Sequence, residues 1–143
     1  MYYMTTPLSI RFDASVLARL RHRASAMTGS NMSALAQRLI DEGLRMADHP
    51  GVVFKDGPSG RRAALAYGPD IWEIVKFLRE VDERGPAALD AAAEVFALDA
   101  ARVSTAVSYY GNYRDEIDAE IDDADEVSAS AEAAWRVQQQ LIA

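Results

Sequence analysis

Leu8-Ser9-Ile10-Arg11-Phe12 alternates apolar and polar side chains, and the reading of these five residues decides the fold. Period two marks a half-buried strand, with Leu8, Ile10 and Phe12 on one face and Ser9 and Arg11 on the other. Two helical patterns follow. Asp13 is placed to cap the first, whose apolar positions are Val16, Leu17, Leu20, Ala24 and Met27. Thr28-Gly29-Ser30 breaks it, and Asn31 or Ser33 can cap a second helix carrying Leu35, Ala36, Leu39, Ile40, Gly43 and Leu44. One strand and two helices of this size cannot bury their own apolar face, and a lone strand has no pairing partner. The expected solution is a homodimer in which two copies of the arm pair antiparallel and four helices pack beneath the ribbon.

Such a ribbon turns Ser9 and Arg11 of each chain outward. A two-stranded ribbon fits the major groove of B-DNA, where arginine can contact guanine through two hydrogen bonds and serine can donate or accept. Ser9 and Arg11 are therefore the expected base-reading residues. Backbone amides at Asn31, Met32 and Ser33, at the start of the second helix, can hold a phosphate, and Arg38 adds charge nearby. The simpler alternative is an edge strand preceding two core helices.

The overall charge of −7 is divided unevenly along the chain. Residues 1–47 hold six arginines against Asp13, Asp41 and Glu42, a net +3, whereas residues 48–143 hold nine basic and nineteen acidic side chains, a net −10. A basic head on an acidic body predicts one surface for phosphates and another for a different partner. The chain has no cysteine, which excludes disulfides and thiolate chemistry and suits a reducing cytosol. No apolar run approaches membrane-spanning length, and the first seven residues lack the basic and apolar blocks of a signal peptide. A cytoplasmic protein with no membrane contact is the expectation.

Asp48-His49-Pro50-Gly51 breaks the helical pattern. Val52-Val53-Phe54-Lys55 reads as a short strand, Asp56-Gly57-Pro58-Ser59-Gly60 as a turn, and Arg61-Arg62-Ala63-Ala64-Leu65-Ala66 as a returning strand. Asp70 and Glu73 form a capping arrangement before a helix with Ile71, Trp72, Ile74, Val75, Leu78 and Val81. Gly85 and Pro86 separate it from the next. Two helices follow, one with Leu89, Ala92, Ala93 and Phe96, the other capped by Asp99 and carrying Val103, Ala106, Val107 and Tyr110. The Ala97-Leu98 link is short enough for a helix-turn-helix. A last helical stretch holds Ile117, Ile121 and Ala124, then an alanine- and glutamine-rich tail with Trp135 as its large anchor.

The first segment, about residues 6–47, resembles the ribbon-helix-helix family of the CopG and Arc type. The resemblance rests on the arm, on Asp13 and on Gly29-Ser30-Asn31-Met32-Ser33-Ala34-Leu35-Ala36. Position 31 carries Asn where many members have Ser, a change that keeps the cap. Residues 49–120 resemble a small helix-turn-helix-like domain found in VapB-type antitoxins. This second likeness rests on His49-Pro50-Gly51-Val52-Val53-Phe54, on Asp56-Gly57-Pro58-Ser59-Gly60-Arg61-Arg62, on Asp70-Ile71-Trp72-Glu73-Ile74-Val75, and on Tyr109-Tyr110 and Asp115-Glu116-Ile117-Asp118. It implies a neighbouring PIN-like toxic ribonuclease.

Residues 115–126 contain eight acidic side chains in twelve positions. Such a run is either the solvated face of a helix or a surface for a basic partner. Asp115, Glu116, Asp118, Asp122 and Asp123, with Trp135 as an aromatic anchor, are the expected partner-binding residues. Trp135 could equally be an intramolecular core contact. Arg61 and Arg62 on the hairpin, and Arg102 on the helix after Asp99, raise the question of a second DNA contact. No catalytic constellation stands out. Gly57-Pro58-Ser59-Gly60-Arg61 lacks the Gly-Lys-Ser/Thr ending of a phosphate loop, His22 and His49 stand apart with no cysteine, and Asp122-Asp123 on a helix diverge.

The expectation is a mainly helical, non-enzymatic protein without metal or cofactor. Residues 1–47 would form a ribbon-helix-helix DNA-binding and dimerisation domain. Residues 48–126 would form a short β-hairpin with a helix-turn-helix-like domain, and residues 127–143 a helical, partner-binding tail. Its expected partners are double-stranded operator DNA, a second copy of itself, higher oligomers on DNA included, and a PIN-like toxin. The role is that of an antitoxin and transcriptional autoregulator. The alternatives are a repressor with no toxin and a protein-interaction module that never meets DNA.

Overall fold

Six helices and one two-stranded antiparallel sheet are formed in the computed structural model, which describes residues 5–27, 29 and 31–143. Thr28 and Ser30 of the interhelical break, and residues 1–4, lie outside the described residues. Contacts divide the chain into two units, Met1–Gly43 and Leu44–Ala143.

The first unit contains α1 (Ala14–Ser25) and most of α2 (Met32–Asp48). Asn31 caps α2, its Oδ1 accepting from the Ala34 amide at 2.8 Å. Asp13 occupies the N-cap position of α1, but its side chain accepts no capping hydrogen bond. Ala24 and Leu35 are the buried apolar residues of this unit. Residues 5–13 adopt neither helix nor strand, so the alternating arm has no ladder within one chain. The strand expected at residues 8–12 is therefore not formed, for no strand lies beside it to complete the hydrogen-bond ladder among the described residues.

The second unit is built around a hairpin. β1 (Val52–Gly57) pairs with β2 (Gly60–Leu65) in a register running from Val52↔Leu65 to Gly57↔Gly60. β1 is longer than the sequence pattern indicates and β2 starts one residue earlier, because Asp56 and Gly57 continue to pair through a two-residue turn. Gly60 sits at φ +116°, a conformation that favours glycine. A Cβ at Gly57 would come within 1.9 Å of an Arg62 guanidinium nitrogen, so this glycine leaves open the space in which the Arg62 side chain lies. The backbone path of the hairpin thus lets Arg62 lie across it.

α3 (Ile71–Glu80) begins at Asp70, whose amide donates to Glu73 Oε2 at 2.8 Å. α4 (Pro86–Phe96) starts with proline and ends at Ala97, which takes a left-handed conformation at φ +54°. Asp99 caps α5 (Ala100–Asn112) by accepting from the Arg102 amide at 2.8 Å. α6 (Arg114–Ile142) runs unbroken for 29 residues, through the junction at 126/127 suggested by composition.

The core gathers Val52, Ala63 and Leu65 from the hairpin, Ile71, Ile74 and Val75 from α3, and Ala92 from α4. Val103, Ala106 and Tyr109 of α5 and Ile117 and Ile121 of α6 complete it. Only the N-terminal turns of α6 take part, since every residue from 125 onward is exposed. Among the described residues no helix is long and apolar enough to cross a membrane.

Candidate nucleic-acid interface and partner surface

Ser9 and Arg11 are both exposed on the N-terminal arm. So are the apolar residues that alternate with them: Leu8 is 80%, Ile10 48% and Phe12 40% exposed. Below the arm an open groove of about 720 Å³ is lined by Phe12, Val16, Leu20, Ala36, Leu39 and Ile40, with Arg19, His22 and Arg23 also contributing. The apolar side of the arm is therefore exposed in a single chain, and the helical stripes are covered only in part, with Ala24 and Leu35 buried and Val16, Ile40 and Leu44 exposed.

Asn31, Met32 and Ser33 lie together at the N-terminal end of α2, with Asn31 and Ser33 exposed and Met32 half-buried. Arg38 is drawn elsewhere. Its Nη2 contacts Met27 Sδ at 3.9 Å, and its Nε is 3.8 Å from Glu42. In one chain Arg38 thus ties α2 to Met27 in the segment that follows α1.

The acidic run on α6 divides in two. Glu116 accepts from both terminal nitrogens of Arg45, at 2.7 and 3.3 Å. Arg45 also donates to the Tyr109 hydroxyl at 3.0 Å and lies 4.0 Å above the Tyr113 ring. Burial opposes the Arg45 charge, but its bonds to Glu116 and Tyr109 outweigh that penalty and raise its pKa. Burial pushes Tyr109 up to about 12. Asp118 pairs with Arg79, accepts from the Tyr110 hydroxyl at 2.8 Å and lies 3.6 Å from Arg114. Asp125 pairs with Lys76. Within the second unit, Glu116, Asp118 and Asp125 therefore fasten α6 to α3 and to Arg45 in the last turn of α2. Asp115, Asp122 and Asp123 are exposed and form no ion pair among the described residues.

Trp135 is 58% exposed, so it is no core contact within this chain. At helical spacing it shares one face of α6 with Val127, Ala131, Ala134, Leu141 and Ile142, interrupted by Gln138, all exposed. The opposite face carries Glu132 and Arg136, paired at 2.6 Å. An exposed apolar stripe therefore begins where the acidic run ends.

The arginines of the second unit are occupied with the protein itself. Arg61 lies 3.5 Å from Asp56, and Arg102 donates to the Ala66 carbonyl. Arg62 Nε is 3.0 Å from Asp70 Oδ2, and Lys55 Nζ is 2.9 Å from Asp70 Oδ1. Trp72 Nε1 also donates to Asp70, at 3.1 Å. Asp70, read from sequence as a helix cap, is a buried anion joining both hairpin strands to α3. Its larger role is not visible in the local D-x-x-E spacing. His49 is likewise buried: its ring packs edge-on against Tyr109 and Tyr113, and its Nε2 lies 3.0 Å from Asn112 Nδ2.

Sequence reasoning also missed Glu120. Burial pushes its carboxyl up to about 7. A signal was present, because Glu120 stands between Ile117 and Ile121 at the edge of the apolar stripe. Among the described residues no group of three or more His, Asp or Glu side chains is placed to hold a metal ion. No protein-family model matches this chain, and no curated protein or solved structure matches it.

Proposed function

We propose that the chain is a DNA-binding antitoxin and autoregulator that acts as a homodimer through its first unit. One observation carries the reading: the first unit leaves its apolar surface open. It buries Ala24 and Leu35, while Phe12, Val16 and Ile40 line the groove and face solvent, and Leu8 and Ile10 are exposed on the arm. Exposed apolar area of this kind marks an interface. The occupant that satisfies both the groove and the unpaired arm is a second copy. Its own 8–12 segment supplies the missing antiparallel strand, and its α1 and α2 supply the missing apolar face. The paired arms then form a ribbon-helix-helix module that presents Ser9 and Arg11 outward to base edges. The amides at 31–33 stand ready for phosphates. Arg38 would have to leave Met27 to add its charge.

Arg11→Ala tests direct readout. Two guanine contacts per dimer, each worth roughly 1–3 kcal/mol, predict binding to the DNA upstream of its own gene weaker by about thirtyfold or more. The measurement is fluorescence anisotropy with a labelled duplex at fixed salt, and light scattering should show the dimer intact. Unchanged affinity would remove Arg11 from the interface. Failure of the unaltered protein to bind any upstream duplex would overturn the DNA-binding reading.

The second partner is proposed to be a PIN-like ribonuclease toxin. The exposed stripe around Trp135 supports this reading, as do the free acids Asp115, Asp122 and Asp123, which complement a basic RNA-cleaving groove. Glu116 and Asp118 would contribute only by exchanging their internal partners. Trp135→Ala should weaken binding to the product of the adjacent gene by about thirtyfold, the scale of an aromatic hot spot, in a calorimetric titration. Absence of any complex with that product would leave a repressor without a toxin.

A further inference from the structure

We infer that residues 124–142 of α6 pair antiparallel with the same segment of a second copy of this chain. Ile117 and Ile121 begin a line of residues on α6 and are both buried in the core of the second unit. The line continues through Ala124, Ser128, Ala131, Trp135, Gln138 and Ile142, at alternating intervals of three and four. That repeat is the spacing of a seam between two helices. Ala124 is half-buried, and the five that follow are exposed. One seam is thus covered at its start and bare along the rest of its length.

The sequence of sizes along the bare part fits a second copy turned end for end. With the two-fold axis near residue 133, Trp135 lies on Ala131 of the second copy and Ile142 on its Ala124. Ser128 meets Gln138, a hydroxyl beside an amide that can exchange a hydrogen bond with it. Each contact occurs twice, as a two-fold pair requires. Every apolar layer then sets a large side chain on a small one, and the one polar layer fixes the register. A parallel pair would instead stack Trp135 on Trp135 and Ala131 on Ala131, overfilling one layer and emptying the next.

Charge supports the same occupant and the same direction. Glu132 and Arg136 are the charged side chains of residues 127–143, and they pair with each other at 2.6 Å. The seam therefore carries no net charge, which suits a like segment; a basic partner is drawn to the acidic run instead. Antiparallel pairing keeps Asp122 of the two copies roughly 30 Å apart at 1.5 Å per residue, whereas parallel pairing brings the two acidic runs together. Two buried tryptophans contribute roughly 300–500 Å². The whole contact lies near the lower edge of a specific interface, about 1,000 Å². It is accordingly the weaker of two self-contacts: chains whose first units are prevented from pairing stay monomeric at micromolar concentration. The inference is independent of the toxin reading, and a toxin held on Trp135 would displace the second copy.

Disulfide mapping on the full-length protein tests the pairing, with no native cysteine to interfere. Ser128→Cys and Gln138→Cys proteins are mixed in a glutathione redox buffer with no other protein present. The mixed disulfide should exceed the two homodisulfides together. Adding Ala131→Glu to both chains sets a carboxylate under each Trp135 and should cut the mixed product about tenfold or more. All three positions are exposed, so the unfolding transition of the second unit should be unchanged. Ala133→Cys, on the far side of the helix from the seam, calibrates random collision. A mixed disulfide no more abundant than the Ala133→Cys product would sink the proposal and leave the face to an unlike partner. An excess of homodisulfides would refute the antiparallel register, and indifference to Ala131→Glu would refute the seam. Because toxin is absent, none of these outcomes depends on the Trp135→Ala titration.

Discussion

Asp70→Ala is expected to lower the stability of the second unit by about 3–5 kcal/mol, the usual loss when one partner of a buried ion pair is removed. Asp70 is 7% exposed and holds three groups: Lys55 Nζ at 2.9 Å, Arg62 Nε at 3.0 Å and Trp72 Nε1 at 3.1 Å. Lys55 can turn to water, since its side chain is 48% exposed. Arg62 cannot, because its side chain is 18% exposed and lies across Gly57. Truncating Asp70 leaves that guanidinium buried without a counter-ion, and the indole N–H loses its acceptor. The backbone of residue 70 also bridges to Ala64, so β2 and α3 should loosen together. Urea unfolding should show a lower midpoint at unchanged slope. Asp70→Asn keeps an acceptor but not the charge, and its loss should be smaller. A change below about 1 kcal/mol for the alanine variant would mean that Asp70 is not the hub described.

Leu39→Asp is expected to abolish dimerisation and operator binding together while leaving the second unit folded. Leu39 lines the open groove of the first unit, and in the proposed dimer it meets the apolar face of a second copy. An unpaired carboxylate at that position opposes burial by several kcal/mol, enough to weaken the dimer by about a hundredfold or more. DNA binding falls with it because a single arm forms no ribbon. Sedimentation velocity reads the first effect and anisotropy the second, while the Tyr109 core lies in the other unit and should keep its unfolding transition. Set beside Arg11→Ala, the variant separates assembly from readout: one should lose both properties, the other DNA binding alone. A Leu39→Asp protein that remains dimeric would remove the groove from the interface and the ribbon with it.

Local signals were strong where the physics is local. The Asn31 and Asp99 caps, the Glu73 bond at the head of α3, the hairpin and the separate helices all follow from spacing and side-chain type, because each involves groups a few residues apart. The acidic run was legible as charge but not as chemistry. Glu116, Asp118 and Asp125 are pinned by Arg45, Arg79 and Lys76, partners 39 to 71 residues away. Helical periodicity places a residue on a face without saying what covers that face. It could not distinguish pinned acids from free ones, nor a Trp135 in the core from one in solvent.

By itself, then, the sequence determined a basic two-helix head, a hairpin, a set of capped helices and an acidic C-terminal stretch, since propensity, period and capping act over a turn or two. Tertiary structure decided which charges are spent inside the protein: Asp70 as a buried anion holding Lys55 and Arg62, Arg45 as the cation bound by Glu116, and Glu120 as a carboxyl whose Oε2 is buried without a hydrogen-bond partner. Those outcomes depend on long-range packing, which sets burial and therefore the energy of every charge. Period two alone did not make a strand of the 8–12 arm, because strand hydrogen bonds need a paired strand and none lies beside it among the described residues.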